Sequence, residues 1–490
     1  MSQDAAPDRV AHGISTELAP DEASPPVWSR GAAARRRTHR LLSALAAGLV
    51  VLGATTLTSG TAHADTRPNI LFAFTDDQTN ESMTAEAMPY LTSAPHGYWW
   101  KSDMIYNLSL CCPSRATFLT GQDAHNHHVE GDGYGANLDA TKTVANELKK
   151  SGYFTCKIGK YLNGWPFTDP AVLPPGWNKW DVFDRGINYY EYDLINKKSV
   201  IKHFGSTDAD YSTSVLVQRA LKCLNKVPAG QPFYLDLSFN APHSPWTPAS
   251  NYASTPVTTP PHKPNFNEAD VSDKPAWLQN TPQLTPDQVA TWDARRADEY
   301  RVLRSVDDAI RILMETLEGQ GKLDNTVVAF TSDNANSYGE HRFTSKRCYF
   351  DECIRHPLWI RYPASGIAAT RDDSHLVGNV DIAPTFAELG GITLPWSVNG
   401  RSLVDLLKGT PPATWRDAVL LENRANTGGK VGKFWGLRTD RYTYVELDTG
   451  EVDMYDHSVD PFELTNCAGQ PACAAAQAQL HTLLGQRETE

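Results

Sequence analysis

Three segments of the chain are almost uninterrupted apolar runs that end in polar residues. They cover residues 69–77 (NILFAFTDD), 233–243 (FYLDLSFNAPH) and 326–334 (TVVAFTSDN). Such runs are typical of strands buried on both faces, as in a parallel sheet covered by helices. Helical patterns at residues 141–150 and 295–317 predict two of those helices. The chain is therefore predicted to form a doubly wound α/β sheet, whose ligand site lies at the carboxyl ends of the strands.

The pattern changes after Gly390-Gly391. Short strands are predicted at residues 418–421, 432–438, 442–447 and 451–455, followed by a helix at about 474–484. This pattern predicts a smaller antiparallel sheet closed by a helix. We therefore expect a large α/β domain over residues 65–395 and a C-terminal α+β domain over residues 396–490. The stretch 245–286 is rich in proline and threonine and predicts a long surface loop over the ligand edge.

The N-terminus has the order of an export signal. Six residues, Arg-Arg-Arg-Thr-His-Arg at 35–40, precede a short apolar run at 41–57 and the small-x-small sequence Ala62-His63-Ala64. Residues 1–64 are therefore predicted to be an N-terminal extension and signal peptide, cleaved after Ala64, and the protein to be secreted. A membrane anchor is the alternative, but the apolar run is short for one. The arginine cluster leaves twin-arginine export open beside the general route.

The charge of the chain and its cysteine content exclude some classes of function and favour an exported protein with disulfides. The net charge of −12 argues against a nucleic-acid-binding face, and no second apolar segment is long enough to span a membrane. Eight cysteines in an exported chain favour disulfides, although sequence alone does not determine their pairing. The short spacings suggest Cys348/Cys353 and Cys467/Cys473, with Cys156/Cys223 as a third pair. Cys111 and Cys112 would then remain unpaired.

Oxygen-bearing side chains follow the first and third predicted strands. Asp76 and Asp77 close the first, and Asp333 and Asn334 close the third. Carboxylate and amide oxygens select hard cations such as Ca²⁺ or Mg²⁺ over zinc, which favours His and Cys. A single strand-end acid more often caps a turn. Two such pairs after near-identical strands instead predict a metal site.

The stretch SLCCPSRATFLTG, residues 109–121, predicts a helix with chemistry at its start. Pro113 suits the first turn of a helix and Gly121 suits its C-terminal cap. Free backbone N–H groups at the helix N-terminus, near Cys111, attract anions. Arg115 lies four residues after Cys111, so one helical turn brings its guanidinium beside it. This combination suits a tetrahedral oxyanion such as sulfate or phosphate.

The pattern Cys111-x-Pro-Ser-Arg followed by Leu-Thr-Gly resembles the signature of the type I sulfatases, members of the alkaline-phosphatase superfamily. In that family a dedicated generating enzyme oxidises the cysteine to formylglycine (3-oxoalanine). The resemblance implies that Cys111 is this residue, and an alkaline-phosphatase-like fold with a large, mostly parallel sheet. It also implies hydrolysis of sulfate monoesters, in which one hydroxyl of the hydrated aldehyde attacks sulfur and the other helps to release sulfate.

The resemblance runs from Arg67 to about residue 466 and assigns further roles. The metal, expected as Ca²⁺ with Mg²⁺ as the alternative, would be held by Asp76, Asp77, Asp333, Asn334 and the modified side chain at Cys111. The sulfate group would be bound by Arg115, by Lys160 in GKYLNGW and by Lys346, four residues before FDECIRHPL. His243, in APHSPW, matches the histidine near the leaving group.

Two positions depart from the family pattern. Many members have a histidine two residues after the first lysine, where this chain has Leu162. Asn163 and His127 are the candidates to replace that histidine. The usual glycine after the second Asp-Asn pair is Ala335, which is tolerable if its φ stays negative.

The longer motifs CCPSRATFLTGQDAHNHHV, GKYLN and APHSPW resemble the branch of N-acetylglucosamine-6-sulfatases and extracellular heparan endosulfatases. The branch implies a sulfated amino sugar as substrate, such as N-acetylglucosamine-6-sulfate. Two enzymatic alternatives remain: a generic arylsulfatase, and a phosphate or phosphonate monoester hydrolase of the same superfamily. A third alternative is a non-catalytic, calcium-stabilised protein that binds sulfated sugars and whose Cys111 is never converted.

Overall fold

The structure is a computed structural model that describes residues 65–93, 99–167, 169, 173–184, 187–366, 370–371, 374–424 and 430–490. The predicted signal peptide and its cleavage site, residues 1–64, lie outside the described residues. None of the described helices is both long and apolar enough to cross a bilayer.

The described residues form two sheets with helices around them. The strands are β1 (Asn69–Asp76), β2 (Trp99–Ile105), β3 (Phe154–Gly159), β4 (Lys179–Phe183), β5 (Tyr192–Asn196), β6 (Ile201–Phe204), β7 (Phe233–Pro242), β8 (Thr326–Ser332), β9 (Arg355–Arg361), β10 (Thr370–Arg371), β11 (Val419–Asn423), β12 (Phe434–Arg438), β13 (Tyr442–Leu447) and β14 (Val452–Asp456). The helices are α1 (Pro89–Ser93), α2 (Cys111–Thr120), α3 (Ala124–His127), α4 (Val144–Lys150), α5 (Ser212–Leu224), α6 (Ala276–Gln279), α7 (Pro286–Gly319), α8 (Asp351–Ile354), α9 (Ile382–Leu389), α10 (Val404–Leu407) and α11 (Ala474–Arg487).

The large sheet has the strand order β10-β2-β9-β8-β1-β7-β3-β4-β5-β6. The three strands predicted from apolar runs are its centre, because β1 pairs in parallel with both β7 and β8. Ile70 of β1 lies opposite Tyr234 on one side and Val327 on the other. Strand β9 runs antiparallel to β2 and β8, and β4, β5 and β6 pair antiparallel. The predicted fold class, a large mixed and mostly parallel sheet, is confirmed.

Helices cover both faces of this sheet. Leu71 and Ala73 pack with buried residues of α1, α5 and α7, whereas Ile70 and Phe72 pack with residues of α2, α4 and α9. Every residue of β1 is buried. Burial on both faces explains why the strand reads as a continuous apolar run rather than an alternating one.

Helix α7 begins at Pro286, nine residues before the predicted start. Thr285 caps it, since its side chain accepts a hydrogen bond from the backbone N–H of Gln288 and the Gln288 side chain reaches back to the backbone of Thr285. The first turns of the helix are mostly polar, so they lack the apolar periodicity that predicts a helix. Helix α4 begins at Val144, and the Thr143 side chain caps it by accepting a hydrogen bond from the backbone N–H of Asn146.

The predicted surface loop over residues 245–286 is only partly a surface feature. Val271, Lys274 and Leu278 are buried, and α6 forms within the loop. Leu278 packs in one cluster with Leu421 and other residues of the C-terminal sheet. A few apolar side chains therefore anchor this segment, against the expectation drawn from its proline and threonine content.

The C-terminal sheet has the order β11-β12-β13-β14, all antiparallel, with α11 after it, as predicted. The structure contains the disulfides Cys156–Cys223, Cys348–Cys353 and Cys467–Cys473. Cys111 and Cys112 are buried and free, as expected. All described residues belong to one compact unit, and the boundary at residues 395/396 stays a prediction.

Candidate active site

An acidic cluster lies where β1 and β8 end. Asp76 is the last residue of β1, and Asp77 follows in a left-handed backbone conformation with φ 67°. The backbone N–H of Asp77 donates to Asp333 Oδ1 over 3.3 Å, which ties the two strand ends together. One ligating atom each from Asp76, Asp77, Cys111 and Asp333 lies within 4.8 Å of the other three. The residues predicted to bind a metal are thus brought together.

The donor set of this cluster fits a hard cation. Asn334 uses its side-chain N–H₂ to donate to Asp77 Oδ1 over 2.6 Å and to the carbonyl of Ala335 over 3.0 Å. Its Oδ1 is buried and has no hydrogen-bond partner among the described residues. A buried carbonyl oxygen without a partner is costly, and a cation coordinated by it would remove that cost. The oxygen donors of Asp76, Asp77, Asp333 and Asn334 fit Ca²⁺ or Mg²⁺.

Charges around the cluster affect its carboxyl groups differently. Burial raises the pKa of Asp333 to about 6, although Arg115 acts against this rise. Burial also acts to raise the pKa of Asp76, but the nearby cations, with Lys160 foremost, hold it below its usual value. Several positive side chains therefore already surround the acids, and they are placed to meet an anionic ligand as well.

Helix α2 begins at Cys111 and ends at Thr120, as predicted. Gly121 caps it with φ 71°, a conformation that favours glycine. Leu110 at the N-terminal cap position provides no side-chain hydrogen bond, so the first N–H groups of the helix are left for other acceptors. Cys111 is 1% exposed, and its Sγ lies 3.5 Å from Asp76 Oδ1 and 2.8 Å from Lys346 Nζ.

The Cys111 thiol is electrostatically unsuited to act as a thiolate. Burial raises the pKa of the Cys111 thiol well above its usual value, and Asp76 adds to the rise. Lys160 and Lys346 oppose this effect without cancelling it. Because thiolates rather than thiols are nucleophilic, an unmodified cysteine in this position is a poor nucleophile.

Three cations converge on the same place. Arg115 reaches back one turn, as predicted: its Nε donates to Asp333 Oδ2 over 2.7 Å and its Nη1 donates to the carbonyl of Lys160 over 2.8 Å. Its Nη2 lies 3.3 Å from Asp76 Oδ2. Lys160 pairs with Asp76, and Lys346 Nζ lies 2.6 Å from Asp77 Oδ1.

His243 follows β7 and completes the ring of predicted residues. Its Nε2 lies 3.5 Å from Asp77 Oδ2. Its Nδ1 lies 2.9 Å from the carbonyl oxygen of Ser244, which can only accept a hydrogen bond. Nδ1 therefore carries the proton in the neutral ring, and Nε2 is the nitrogen turned towards the acidic cluster.

A cavity of about 580 Å³ opens onto these residues. Its lining includes Cys111, Lys160, His243 and Lys346 together with Asp132, Tyr161, Leu162, Asn163, Gly164, Trp165, Phe167, Phe183, Asp184 and Ile187. Charged groups and aromatic rings thus line the same cavity. This composition suits a sugar-sized organic anion.

Asp132 is a site residue that the sequence did not reveal. It lines the cavity, and its Oδ1 accepts a hydrogen bond of 3.2 Å from the backbone N–H of Cys112. It thereby satisfies one of the free N–H groups at the start of α2. A single aspartate between two glycines, Gly131 and Gly133, reads as an ordinary turn, so no local signal distinguished it.

The two candidates to replace the missing histidine at Leu162 have different positions. Asn163 lines the cavity, and its backbone N–H lies 3.0 Å from Cys112 Sγ. His127 does not line it: Nε2 bonds Thr117 Oγ1 over 3.0 Å, and Nδ1 accepts from the backbone of Val129 over 3.1 Å.

His127 is therefore buried and hydrogen-bonded through both ring nitrogens, and of the two candidates only Asn163 lines the cavity. Burial lowers the pKa of His127 to about 3, so the ring is neutral. Ala335, the second departure, is not in the left-handed region, which explains why the missing glycine is tolerated there.

Comparisons with known proteins agree with this geometry. The sulfatase family model matches residues 68–392, and the model of the C-terminal region of N-sulphoglucosamine sulphohydrolase matches residues 339–490. The human N-acetylglucosamine-6-sulfatase is 33% identical over 476 residues, which cover 86% of this chain and 84% of the relative. An extracellular sulfatase homologue from Caenorhabditis elegans is 32% identical over 400 residues, 77% of this chain and 55% of the relative. The chain thus spans about half the length of that relative.

One solved structure with the same fold is described as a complex with its substrate, D-glucosamine-2-N,6-O-disulfate. It superposes with a TM-score of 0.71 at 24% identity and covers 86% of this chain and 98% of its own. At this identity the match supports the fold, while the family model and the human relative support the family. The chain belongs to the sulfatase family of sulfuric ester hydrolases.

Proposed function

We propose that this protein hydrolyses sulfate monoesters with a formylglycine formed from Cys111. The observation that carries the proposal is the position of Cys111: it is the first residue of α2, within hydrogen-bond reach of Lys346 and beside the acidic cluster. A buried cysteine whose thiol stays protonated has no evident structural task there, since it forms no disulfide. Conversion to an aldehyde would give the position a nucleophile that does not depend on thiolate formation.

Two groups would join the side chains of the site. A hydrated formylglycine would supply a hydroxyl nucleophile and a second hydroxyl that helps to release sulfate. A Ca²⁺ ion, with Mg²⁺ as the alternative, would be held by Asp76, Asp77, Asp333, Asn334 and the modified residue 111, and would supply positive charge. The residues fit such an ion because Asn334 Oδ1 is buried without a partner among the described residues.

The protein's own cations would hold the substrate sulfate. Lys160 and Lys346 are fixed by Asp76 and Asp77 and line the cavity beside residue 111. Arg115 is held by Asp333 and screens the acids from the anion. Positive charge already in place needs no rearrangement as charge develops on the sulfate oxygens, which lowers the barrier.

His243 would act on the leaving group. It lines the same cavity, and its Nε2 points into the site while Nδ1 is engaged by Ser244. Protonated at Nε2, the imidazole would donate a hydrogen bond to the bridging oxygen and then transfer that proton to the departing alcohol. Lys346 is the second candidate for this proton, because its Nζ lies near the same position.

The substrate that we propose is a sulfated amino sugar such as N-acetylglucosamine-6-sulfate. Support comes from the names of the human and C. elegans relatives and from a cavity lined by cationic and aromatic side chains. A generic arylsulfatase and a phosphate or phosphonate monoester hydrolase are the enzymatic alternatives, since the same cations can hold either anion. Comparing turnover of N-acetylglucosamine-6-sulfate, an aryl sulfate and an aryl phosphate separates the three.

The proposal includes export and maturation. We infer that residues 1–64 direct secretion, with cleavage after Ala64, in keeping with relatives that are named extracellular sulfatases. A formylglycine-generating enzyme would act on Cys111 before α2 is buried, because the thiol is only 1% exposed in the folded protein.

Mass spectrometry of the tryptic peptide 102–115 tests the proposal directly. The peptide contains both Cys111 and Cys112, so fragment ions must locate the change. We expect a mass loss confined to residue 111 in protein co-expressed with a generating enzyme, together with release of sulfate. Unmodified Cys111 in protein that turns over sulfate esters would refute the formylglycine assignment. Binding of sulfated sugars without sulfate release would favour the non-catalytic alternative.

A further inference from the structure

Two tryptophans and an arginine form an aromatic platform beside the catalytic residues. The guanidinium carbon of Arg295 lies 4.3 Å from the ring centroid of Trp292 and 5.0 Å from that of Trp246. The two indoles meet edge to face with centroids 6.0 Å apart. All three side chains are partly exposed. We refer to Trp246, Trp292 and Arg295 as the Arg–Trp platform.

Arg295 differs from its neighbours on α7. Arg296, Arg301, Arg304 and Arg311 each form an ion pair, with Glu81, Asp298, Glu86 and Asp308 respectively. Arg295 has neither an ion pair nor a hydrogen bond with any residue that the structure describes. In a chain of net charge −12, a fixed cation that lacks an acidic partner is available to an external anion.

The platform is attached to the active site at two points. Trp246 lies three residues after His243, and its backbone N–H donates to the His243 carbonyl over 3.4 Å. The indole Nε1 of Trp246 donates to Tyr338 Oη over 2.9 Å, and Tyr338 lies four residues after Asn334. A chain of three residues spans at most about 11 Å. The platform therefore lies near His243 and near the segment that follows the acidic cluster, next to the residues that line the cavity.

The geometry of the platform leaves its hydrogen-bond donors available. A guanidinium that stacks on an aromatic ring keeps its N–H groups directed outwards in its own plane, where they can bind a carboxylate or sulfate in a bidentate manner. Trp292 Nε1 likewise forms no hydrogen bond with a described residue. Aromatic rings beside such donors also offer apolar contact to the C–H face of a sugar.

We propose that the Arg–Trp platform binds the anionic sugar unit next to the sulfated amino sugar, so that the preferred substrate is an oligosaccharide rather than a free monosaccharide. This inference rests on the proposed function and extends it to the polymer. Arg295 would bind the carboxylate or sulfate of the neighbouring unit, and Trp292 and Trp246 would fix the orientation of the guanidinium. The platform is a specificity element, because it does not touch the reacting atoms.

The test compares two substrates with the matured enzyme: N-acetylglucosamine-6-sulfate and a tetrasaccharide that alternates hexuronic acid with 6-O-sulfated N-acetylglucosamine. Arg295→Gln should raise KM for the tetrasaccharide about tenfold, since it removes a charged hydrogen-bonded contact. Its KM and kcat for the monosaccharide should stay within about twofold of wild type. Trp292→Leu should also raise KM for the tetrasaccharide and not for the monosaccharide, by a smaller factor than Arg295→Gln. Trp292→Phe should largely restore tetrasaccharide binding.

Arg311→Gln is the matched control, because Arg311 lies on the same helix and pairs only with surface acids. This substitution should leave KM and kcat unchanged for both substrates. An equal loss of Arg295→Gln on both substrates, or no loss on either, would overturn the proposal.

Binding separates this inference from the proposed function. If wild-type enzyme hydrolyses neither substrate, calorimetric titration with the tetrasaccharide still tests the platform. Weaker binding by about tenfold in Arg295→Gln supports it, and equal binding overturns it.

Discussion

Arg115 and Asp333 form a buried ion pair, with Nε 2.7 Å from Oδ2, that joins the first turns of α2 to the end of β8. The same guanidinium bonds the carbonyl of Lys160 and approaches Asp76 to 3.3 Å. One side chain thus links the helix that carries residue 111 to three strands of the sheet. This link fixes the distance between residue 111 and the acidic cluster.

Replacing Arg115 by lysine should therefore impair catalysis although the charge is kept. An ammonium group cannot satisfy Asp333, Asp76 and the Lys160 carbonyl together, because it lacks the fork of the guanidinium. We expect kcat/KM for N-acetylglucosamine-6-sulfate to fall on the order of 100-fold, with a smaller loss of stability. Steady-state kinetics and thermal unfolding measure the two effects. Unchanged kinetics in Arg115→Lys would contradict the positioning role of the fork.

Cys111 and Cys112 should respond oppositely to alanine substitution. Cys111→Ala should lower sulfatase turnover on the order of 10⁴-fold or more, because it removes the residue that we propose is converted to the nucleophile. Cys112→Ala should keep most of the activity and lose about 1 kcal/mol of stability, since it removes a buried sulfur that accepts from the Asn163 N–H. Comparable loss of activity in two well-folded variants would defeat the assignment. Circular dichroism and melting curves establish that both fold.

Removal of a bound divalent ion should destabilise the protein. Without it, Asp76, Asp77 and Asp333 repel one another and Asn334 Oδ1 stays unsatisfied within the described residues. Calcium at about 100 times its Kd should add about 2–3 kcal/mol to the free energy of unfolding. Melting curves with chelator, then with Ca²⁺ or Mg²⁺ restored, measure the shift.

Asn334→Ala should reduce that shift, whereas the exposed Asn280→Ala should leave it intact. If chelator does not change the melting temperature of wild-type protein, the metal assignment fails.

Acid should destabilise the fold through two buried histidines. Burial lowers the pKa of His127 and of His356 from the usual 6.5 to about 3. Between these two pKa values, both histidines are protonated in the unfolded chain but neutral in the native protein. The free energy of unfolding therefore falls as the pH drops below 6.5. Each histidine should contribute a slope of up to about 1.4 kcal/mol per pH unit.

Urea unfolding at several pH values compares wild type with His356→Phe, whose ring can keep the edge-to-face contact with Tyr106. This variant should have a shallower acid slope, while the exposed His262→Gln should not. An identical slope in His356→Phe and wild type would rule out the histidine contribution.

Local sequence patterns predicted much of the fold. The runs at β1, β7 and β8 were identifiable because strands buried on both faces have no polar alternation to obscure them. The four short C-terminal strands and α11 were also evident, since turns and apolar positions recur there at short range. The start of α7 was not evident, because the first turns of this helix are mostly polar and show no apolar periodicity. Only the capping pair Thr285 and Gln288 marks the start.

The sequence alone also predicted which residues meet in the proposed active site. Cys111 and Arg115 lie four residues apart, so a single helix brings them together without reference to the rest of the fold. The tandem acids after β1 and β8 meet because parallel strands end at the same edge of a sheet. These relationships depend on local spacing and on one rule of topology.

Only the tertiary structure decided the residues that act from a distance. Asp132 reaches the start of α2 through a loop, His127 is fixed in the interior by Thr117, and the Arg–Trp platform combines a loop with the first turns of α7. Residues with no shared spacing become neighbours only when helices and loops pack on the sheet. Their contacts are set by packing across long stretches of chain, which no local pattern encodes.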